Sequence, residues 1–348
     1  MLVVIFGAGA SYDSADLEMS HPEVSTSGNL RWRPPLAKQL FDPARHNFNE
    51  AVANTQQMIP ILGRLRRAAR DEEALEDVLE KLEAEAGAYP PRHRQLLGVR
   101  VYLQRIIAEC GTRWRELANG VTHYDELIDE VERWRQQNTG GRVLYVTFNY
   151  DAMLEDAVSL AYGWRPLSLD DYVEHQHFAV LKLHGSVDWG RLTDLRATAT
   201  DMTRLLWDRA GAYNLGDFIF GSQGVGLYNN EIGVVPAIAV PIANKREFEC
   251  PADHLQLLHS AIEQATKVIT VGWRGAERHF LKLWGRRNDQ LDLYVVSGSK
   301  EAAEETNGNL HAGGLRSNRV EHGEGGFGHF LGSGELRRFL DRPARPRA

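Results

Sequence analysis

Cysteine is nearly missing from this chain: Cys110 and Cys250 are the only two in 348 residues. One molecule therefore carries neither a disulfide framework nor a four-thiolate zinc site. Long hydrophobic runs are missing as well. The opening run Leu2 to Phe6 stops at Gly7, too short for a membrane span and without the basic region that precedes a signal-peptide core. With no comparable stretch elsewhere, the expectation is a cytosolic protein with no membrane partner. Positive charge is not in excess either. A formal net charge of -7 gives no whole-molecule reason to expect direct nucleic-acid binding, which needs clustered Lys and Arg. What is present, 43% hydrophobic and 25% charged residues, suits a soluble globular protein with a substantial core.

Several short apolar runs have the length of buried strands: Leu2 to Phe6, Val143 to Phe148, Phe178 to Leu183, Val234 to Val240, Val268 to Val271 and Leu291 to Val296. Continuous runs of this kind suit strands covered on both faces, as in a parallel sheet. Helical spacing follows or precedes some of them, in Met153, Leu154, Ala157 and Val158 and again in Leu255, Leu258, Ile262 and Ala265. The alternation predicts an α/β fold with a doubly wound, Rossmann-like, mostly parallel sheet. We read one domain over 1–348, with its core at about 1–33, 139–190 and 233–300. The interval 34–138, rich in Leu, Ala, Arg and Glu, reads as a helical insertion. Its clearest segment is Asp71 to Glu85, where Leu75, Val78, Leu79 and Leu82 mark an apolar face and Asp71, Glu72 and Glu73 suit a helix start. Residues 191–232 read as a loop-rich subdomain or lid. The remaining segment, 301–348, is Gly-rich from Asn307 and ends in Arg and Pro, which predicts a mobile tail.

Three groups of residues close apolar runs. Gly7-Ala8-Gly9-Ala10-Ser11 forms a small-residue turn after the first, where a phosphate could approach backbone N–H groups or where the chain simply turns tightly. Thr147-Phe148-Asn149-Tyr150-Asp151 places polar side chains where open α/β sheets bind ligands, although Asn and Asp also serve as turn and cap residues. Lys182-Leu183-His184-Gly185-Ser186 ends a third run, and an imidazole there is either a structural group or a proton acceptor near neutrality.

Taken together and in this order, the three groups resemble the sirtuin pattern, which couples Gly-Ala-Gly-x-Ser to a later Asn-x-Asp and then to His-Gly. The resemblance extends weakly to Val271-Gly272-Trp273 and Val295-Val296-Ser297, at the late strand ends that the family uses for the adenosine half of NAD+. It implies that Gly7, Ala8, Gly9 and Ser11 line the phosphate and ribose site, with Gly272 and Ser297 as further NAD+ contacts. Asn149 would contact the nicotinamide ribose or order a water, Asp151 would engage the carboxamide, and His184 would act as a base on a ribose hydroxyl.

Two departures narrow the comparison. The zinc module of the deacylases needs two paired cysteine motifs and cannot exist here. The connection Ser11 to Leu36 lacks their Gly-x-Pro-x-Phe-Arg pattern and offers Arg33-Pro34-Pro35-Leu36 instead. The chain is most similar to bacterial sirtuin-like domains that resemble antiphage NADase effectors. That resemblance implies hydrolysis of NAD+, as substrate, to nicotinamide and ADP-ribose without a metal, in a homo-oligomer or under a separately encoded regulator such as a HerA-like ATPase. Deacylation, ADP-ribosyl transfer and non-catalytic NAD+ or ADP-ribose binding are the alternatives.

Weaker features remain. His175-Gln176-His177 could offer two imidazoles to a metal but shows no third ligand. Arg64, Arg66, Arg67 and Arg70 read as a solvated helix face beside an acidic segment, or as a contact for nucleic acid or an acidic partner. Trp189, Trp207, Tyr213 and Tyr228 could cover nicotinamide or form ordinary subdomain core.

Overall fold

The computed structural model describes all residues except 16–29, 71–73, 139–140, 223, 242–247, 286–289 and 344–348. Six parallel strands make the main sheet: β1 (Leu2–Phe6), β2 (Val143–Thr147), β3 (Phe178–Lys182), β8 (Lys267–Val271), β9 (Leu291–Val296) and β10 (Ser317–Gly323). Their spatial order is β10-β9-β8-β1-β2-β3. Counted along the sheet's own strands this is 3-2-1-4-5-6, the doubly wound order, and it reverses between β1 and β8. Every residue of β1, β2, β3, β8 and β9 is buried, which explains why these strands are rich in Val, Ile, Leu and aromatic residues without polar alternation.

The run Val234 to Val240 does not join this sheet. It supplies β7 (Ile232–Ile238) of a second, antiparallel sheet with order β5-β4-β7-β6, built with β4 (Gly185–Arg196), β5 (Leu215–Phe220) and β6 (Gly226–Tyr228). Residues 191–232 are therefore more regular than their sequence suggests. They hold the second half of β4, both short strands and a helix over Ala199–Asp208. The strands escaped a periodicity reading because this sheet is half solvated; β5, for instance, has no buried residue.

Helices dominate the interval after the first turn, α1 (Ala8–Tyr12): α2 (His46–Ala53), α3 (Ile59–Arg70), α4 (Leu75–Glu85), α5 (Pro91–Leu117) and α6 (His123–Gln137). As expected, α4 buries Leu75, Val78, Leu79 and Leu82, while the acids 71–73 lie outside the described residues. The interval does not act as one insertion, however. From Leu40 to Cys110 most of its buried apolar residues form a core of their own, shared with Val187 and Ile238 of the second sheet and with Val240 just beyond β7. Trp114 and the α6 residues Tyr124, Leu127, Ile128 and Val131 belong to the main core, so α6 is the crossover helix leading to β2. It packs against α7 (Met153–Tyr162), which buries the predicted Met153, Leu154, Ala157 and Val158.

The segment beyond Asn307 is packed, contrary to its composition. Helix Lys300–Ala312 is followed by β10 at the sheet edge and by α13 (Gly326–Gly332) and α14 (Glu335–Asp341), both of which pack on α6. Here α8 to α12 denote, in chain order, the helices Asp171–Glu174, Ala199–Asp208, Ala252–Gln264, Arg278–Trp284 and Lys300–Ala312. The ammonium of the buried Lys267, at the start of β8, donates to the carbonyls of Phe339, Leu340 and Arg342 and so ties the end of α14 to the sheet. Residues 344–348, the last of the expected tail, lie outside the described residues.

Candidate functional site

The carboxyl ends of β1, β2, β3 and β8 form one edge, and pairing runs a residue past each strand: Phe148 N–H donates to Phe6 O (3.0 Å), Leu183 N–H to Thr147 O (3.0 Å), and Gly7 N–H to Val271 O (3.0 Å). This brings Gly7, Asn149, His184 and Gly272 to the same edge, beside the β1/β8 reversal where a crevice opens in such sheets.

Two backbones meet there at close range. Gly9 N–H donates to Gly272 O at 2.9 Å. A Cβ at Gly7 would lie 2.7 Å from that same oxygen, and one at Gly9 would lie 2.8 Å from the Gly272 Cα. Gly272 itself adopts φ +58°. The glycines of the first turn are thus required by the Gly272 loop. Ala8, between them, is exposed.

Ser11, Asn149 and Asp151 are buried and joined in one hydrogen-bonded set. The Asn149 amide nitrogen donates to Gly7 O (2.9 Å), Ser11 Oγ (2.9 Å) and Tyr124 Oη (3.2 Å). Ser11 O–H donates to Asp151 Oδ2 at 2.8 Å, while Asp151 Oδ1 accepts the Met153 N–H at 3.1 Å and caps α7. Tyr124, from the start of α6, was not legible as a site residue. Burial raises its pKa well above the ordinary phenol value, and the nearby Asp151 charge adds to the rise. It therefore stays a neutral hydroxyl.

His184 stands apart from this set. Its ring lies edge-on to Phe148 at 5.0 Å and 6.2 Å from the Tyr150 ring, and it is partly exposed. Phe148 in turn stacks on Trp273, with centroids 5.1 Å apart and planes 11° apart, and the indole N–H donates to Glu277 at 2.6 Å. The aromatic wall Trp273-Phe148-His184 thus spans the ends of β8, β2 and β3. Ser297 is buried at the end of β9, its backbone engaged by Gly323 O and Gly326 N–H.

Below the edge, Lys182 is wholly buried. It pairs with Glu155 at 2.8 Å and also donates to the Asp151 carbonyl. Burial raises the Glu155 pKa against the opposing pull of Lys182. Tyr172 O–H donates to the same carboxylate at 3.2 Å. This pair braces the turn that carries Asn149 and Asp151.

The weaker features resolve individually. His175 stacks on Phe178 and meets the His177 ring edge-on, and among the described residues no group of three or more His, Cys, Asp or Glu could hold a metal. Arg64 pairs with Glu85 of α4 at 2.9 Å. Trp189 is core, packed edge-on against Tyr172 and His254, while Trp207 and Tyr213 pack on a small cluster around Met202 and Leu206. Tyr228 is exposed. No described helix is long and apolar enough to cross a membrane.

No family model and no curated protein matches the chain. Solved structures do align. A point mutant of a Sir2 homologue in complex with ADP-ribose is 13% identical and covers 97% of this chain and 91% of its own, with a TM-score of 0.42. A structure concerned with sirtuin substrate affinity is 13% identical over 98% of this chain and 93% of its own, at 0.35. Sir2 with a p53 peptide and NAD+ is 13% identical over 90% and 93%, at 0.33. Overlaps this loose carry no residue roles across.

Proposed function

We propose that this chain binds NAD+ at the carboxyl edge of its parallel sheet and hydrolyses the nicotinamide–ribose bond. The observation that carries the reading is the convergence of three sequence groups, Gly7 to Ser11, Asn149 to Asp151 and His184-Gly185, on one edge beside the strand-order reversal. In the reaction the C1′–N bond breaks, its electron pair leaves with neutral nicotinamide, and the cationic ribosyl carbon takes a water oxygen. A proton is released and ADP-ribose remains.

The chain's own groups fit the two needs of this chemistry, a fixed substrate and a controlled nucleophile. The phosphates would approach on the side of the exposed Ala8, since Gly7 and Gly9 face Gly272. Asn149 spends its amide hydrogens on Gly7, Ser11 and Tyr124, so its oxygen is the atom left to accept a hydrogen bond from water or a ribose hydroxyl. The Asp151 carboxyl oxygens have lone pairs beyond those taken by Ser11 and Met153, enough to receive the nicotinamide carboxamide. His184, partly exposed, is the proton acceptor for a ribose hydroxyl. None of these roles calls for a metal. A role in bacterial defence by NAD+ depletion, and control by self-assembly or by a separate partner, belong to the same reading.

The test is to incubate the purified chain with NAD+ alone and quantify nicotinamide. Release without an acceptor supports hydrolysis. Release only with an acyl-lysine or protein acceptor makes the chain a deacylase or ADP-ribosyltransferase, and binding without release makes it a sensor.

A further inference from the structure

We propose that Tyr124 is a positioning residue for this cleavage, acting with Gly7 O and Ser11 to hold the Asn149 carboxamide so that its oxygen rather than its nitrogen faces the substrate. The inference rests on the function proposed above. It follows from counting protons in a closed, buried set. Ser11 has one hydroxyl proton, and Asp151 Oδ2 accepts it at 2.8 Å. The contact between Ser11 Oγ and Tyr124 Oη, 3.0 Å, must then use the phenol proton. With that proton committed, Tyr124 Oη meets Asn149 Nδ2 only as an acceptor, at 3.2 Å. The amide nitrogen therefore faces three acceptors, Gly7 O, Ser11 Oγ and Tyr124 Oη, with two hydrogens to share among them. Rotating the carboxamide by half a turn would set its oxygen against the Gly7 carbonyl, two acceptors with no proton between them.

The phenol is itself held rigidly. Its ring lies 5.0 Å from Phe6 and edge-on to Phe327 at 5.6 Å, and Thr122 and Asp125 form a capping box that fixes the start of α6 around it. Because the phenol stays neutral, it supplies the same donor over the whole working range of pH. Tyr124 never needs to touch NAD+, since it acts through Ser11 and Asn149.

The experiment compares wild type, Tyr124→Phe, Asn149→Ala and the double variant for nicotinamide release, at the protein concentration or with the partner that gives the highest wild-type rate. Phenylalanine keeps the buried ring. We expect kcat to fall about tenfold in Tyr124→Phe with KM for NAD+ within about twofold, and no further loss when the change is added to Asn149→Ala. A role confined to stability would instead multiply the two losses. Wild-type kcat in a folded Tyr124→Phe protein, or multiplicative losses in the double variant, overturns the assignment while leaving hydrolysis intact. Wild-type protein that neither binds NAD+ nor releases nicotinamide overturns hydrolysis, and this inference with it.

Discussion

Asn149 and His184 reach the same sheet edge by different routes, and their replacement should tell them apart. Asn149 is buried in a hydrogen-bonded set, whereas His184 is partly exposed against Phe148. Under the proposed chemistry each alanine variant lowers nicotinamide release by about 10²-fold or more, as loss of a positioning or proton-transfer group commonly does. Thermal melting separates the two: Asn149→Ala strips a donor from Gly7 O and lowers the midpoint, and His184→Ala leaves it close to wild type. Near-wild-type turnover in both folded variants would remove them from the centre. Lys182 makes a purely structural prediction. Removing its ammonium leaves the Glu155 carboxylate buried without its cation, so Lys182→Met should cost about 3–5 kcal/mol in denaturant unfolding. Adding Glu155→Leu should restore most of that loss, and failure of the double variant to recover would show that the pair contributes more than mutual neutralisation. At this scale the sequence was partly readable. Gly7, Ser11, Asn149 and Asp151 stand in short motifs after apolar runs, and they do meet. Tyr124 carries no such mark, because it opens a helix that is distant in sequence from every strand end. The capping pattern Thr122-x-x-Asp125 reveals where its helix begins but not what its phenol touches.

Between elements, the junction of α6 and α7 holds a carboxylate whose protonation should weaken the fold in acid. Burial pushes the Glu132 carboxyl upward, but hydrogen bonds from Arg135 (2.6 and 2.8 Å), Tyr162 (2.6 Å) and Gln136 (2.8 Å) outweigh it and hold its pKa at about 2. The folded value lies below the unfolded one. Its contribution is therefore complete above the ordinary carboxyl value of 4.5 and is lost as pH falls from there through about 2. Glu132→Gln should flatten the loss of stability across that window by on the order of 2 kcal/mol, read from urea midpoints at successive pH values. An unchanged slope would place acid sensitivity elsewhere. Elements also divide sharply in how well the sequence disclosed them. Strands covered on both faces, β1, β2, β3, β8 and β9, are buried throughout and mostly apolar, and could be read directly. The edge strand β10 has Val320 as its sole aliphatic residue, with four of its seven residues intermediate in exposure and two exposed, so periodicity had little to detect. β7 was read as a strand but its sheet was not, since an apolar run looks the same whether its neighbours run parallel or antiparallel.

For the whole molecule, the two cores raise the question of regulation. The helices from Leu40 to Cys110 share their interior with Val187 and Ile238 of the second sheet, and Tyr150, between Asn149 and Asp151, packs on that core, so the region around α3 and α4 is in contact with the turn that carries the proposed chemistry. An NADase must be restrained in its host, and a partner or second copy can activate it only by favouring the active state. We expect turnover per molecule to rise with protein concentration or with a partner docking on α3 and α4. Light scattering and nicotinamide release followed together across concentration test this. A monomer that is fully active at every concentration and unaffected by any partner would end the idea.

The placement of β1 has a further consequence for synthesis. This strand precedes the sheet's other five in the chain yet lies in the middle of the sheet, with Leu2 beside Val143 on one side and Lys267 on the other. Half a nascent chain can pair β1 with β2, but the reversal that opens the crevice does not exist until Val271 and Gly272 have been translated. Long-range parallel pairing of this kind is slow and comes late. If the proposed NAD+ cleavage holds, that order of assembly withholds activity until four of the six strands exist, so shorter translation products would leave the cofactor intact.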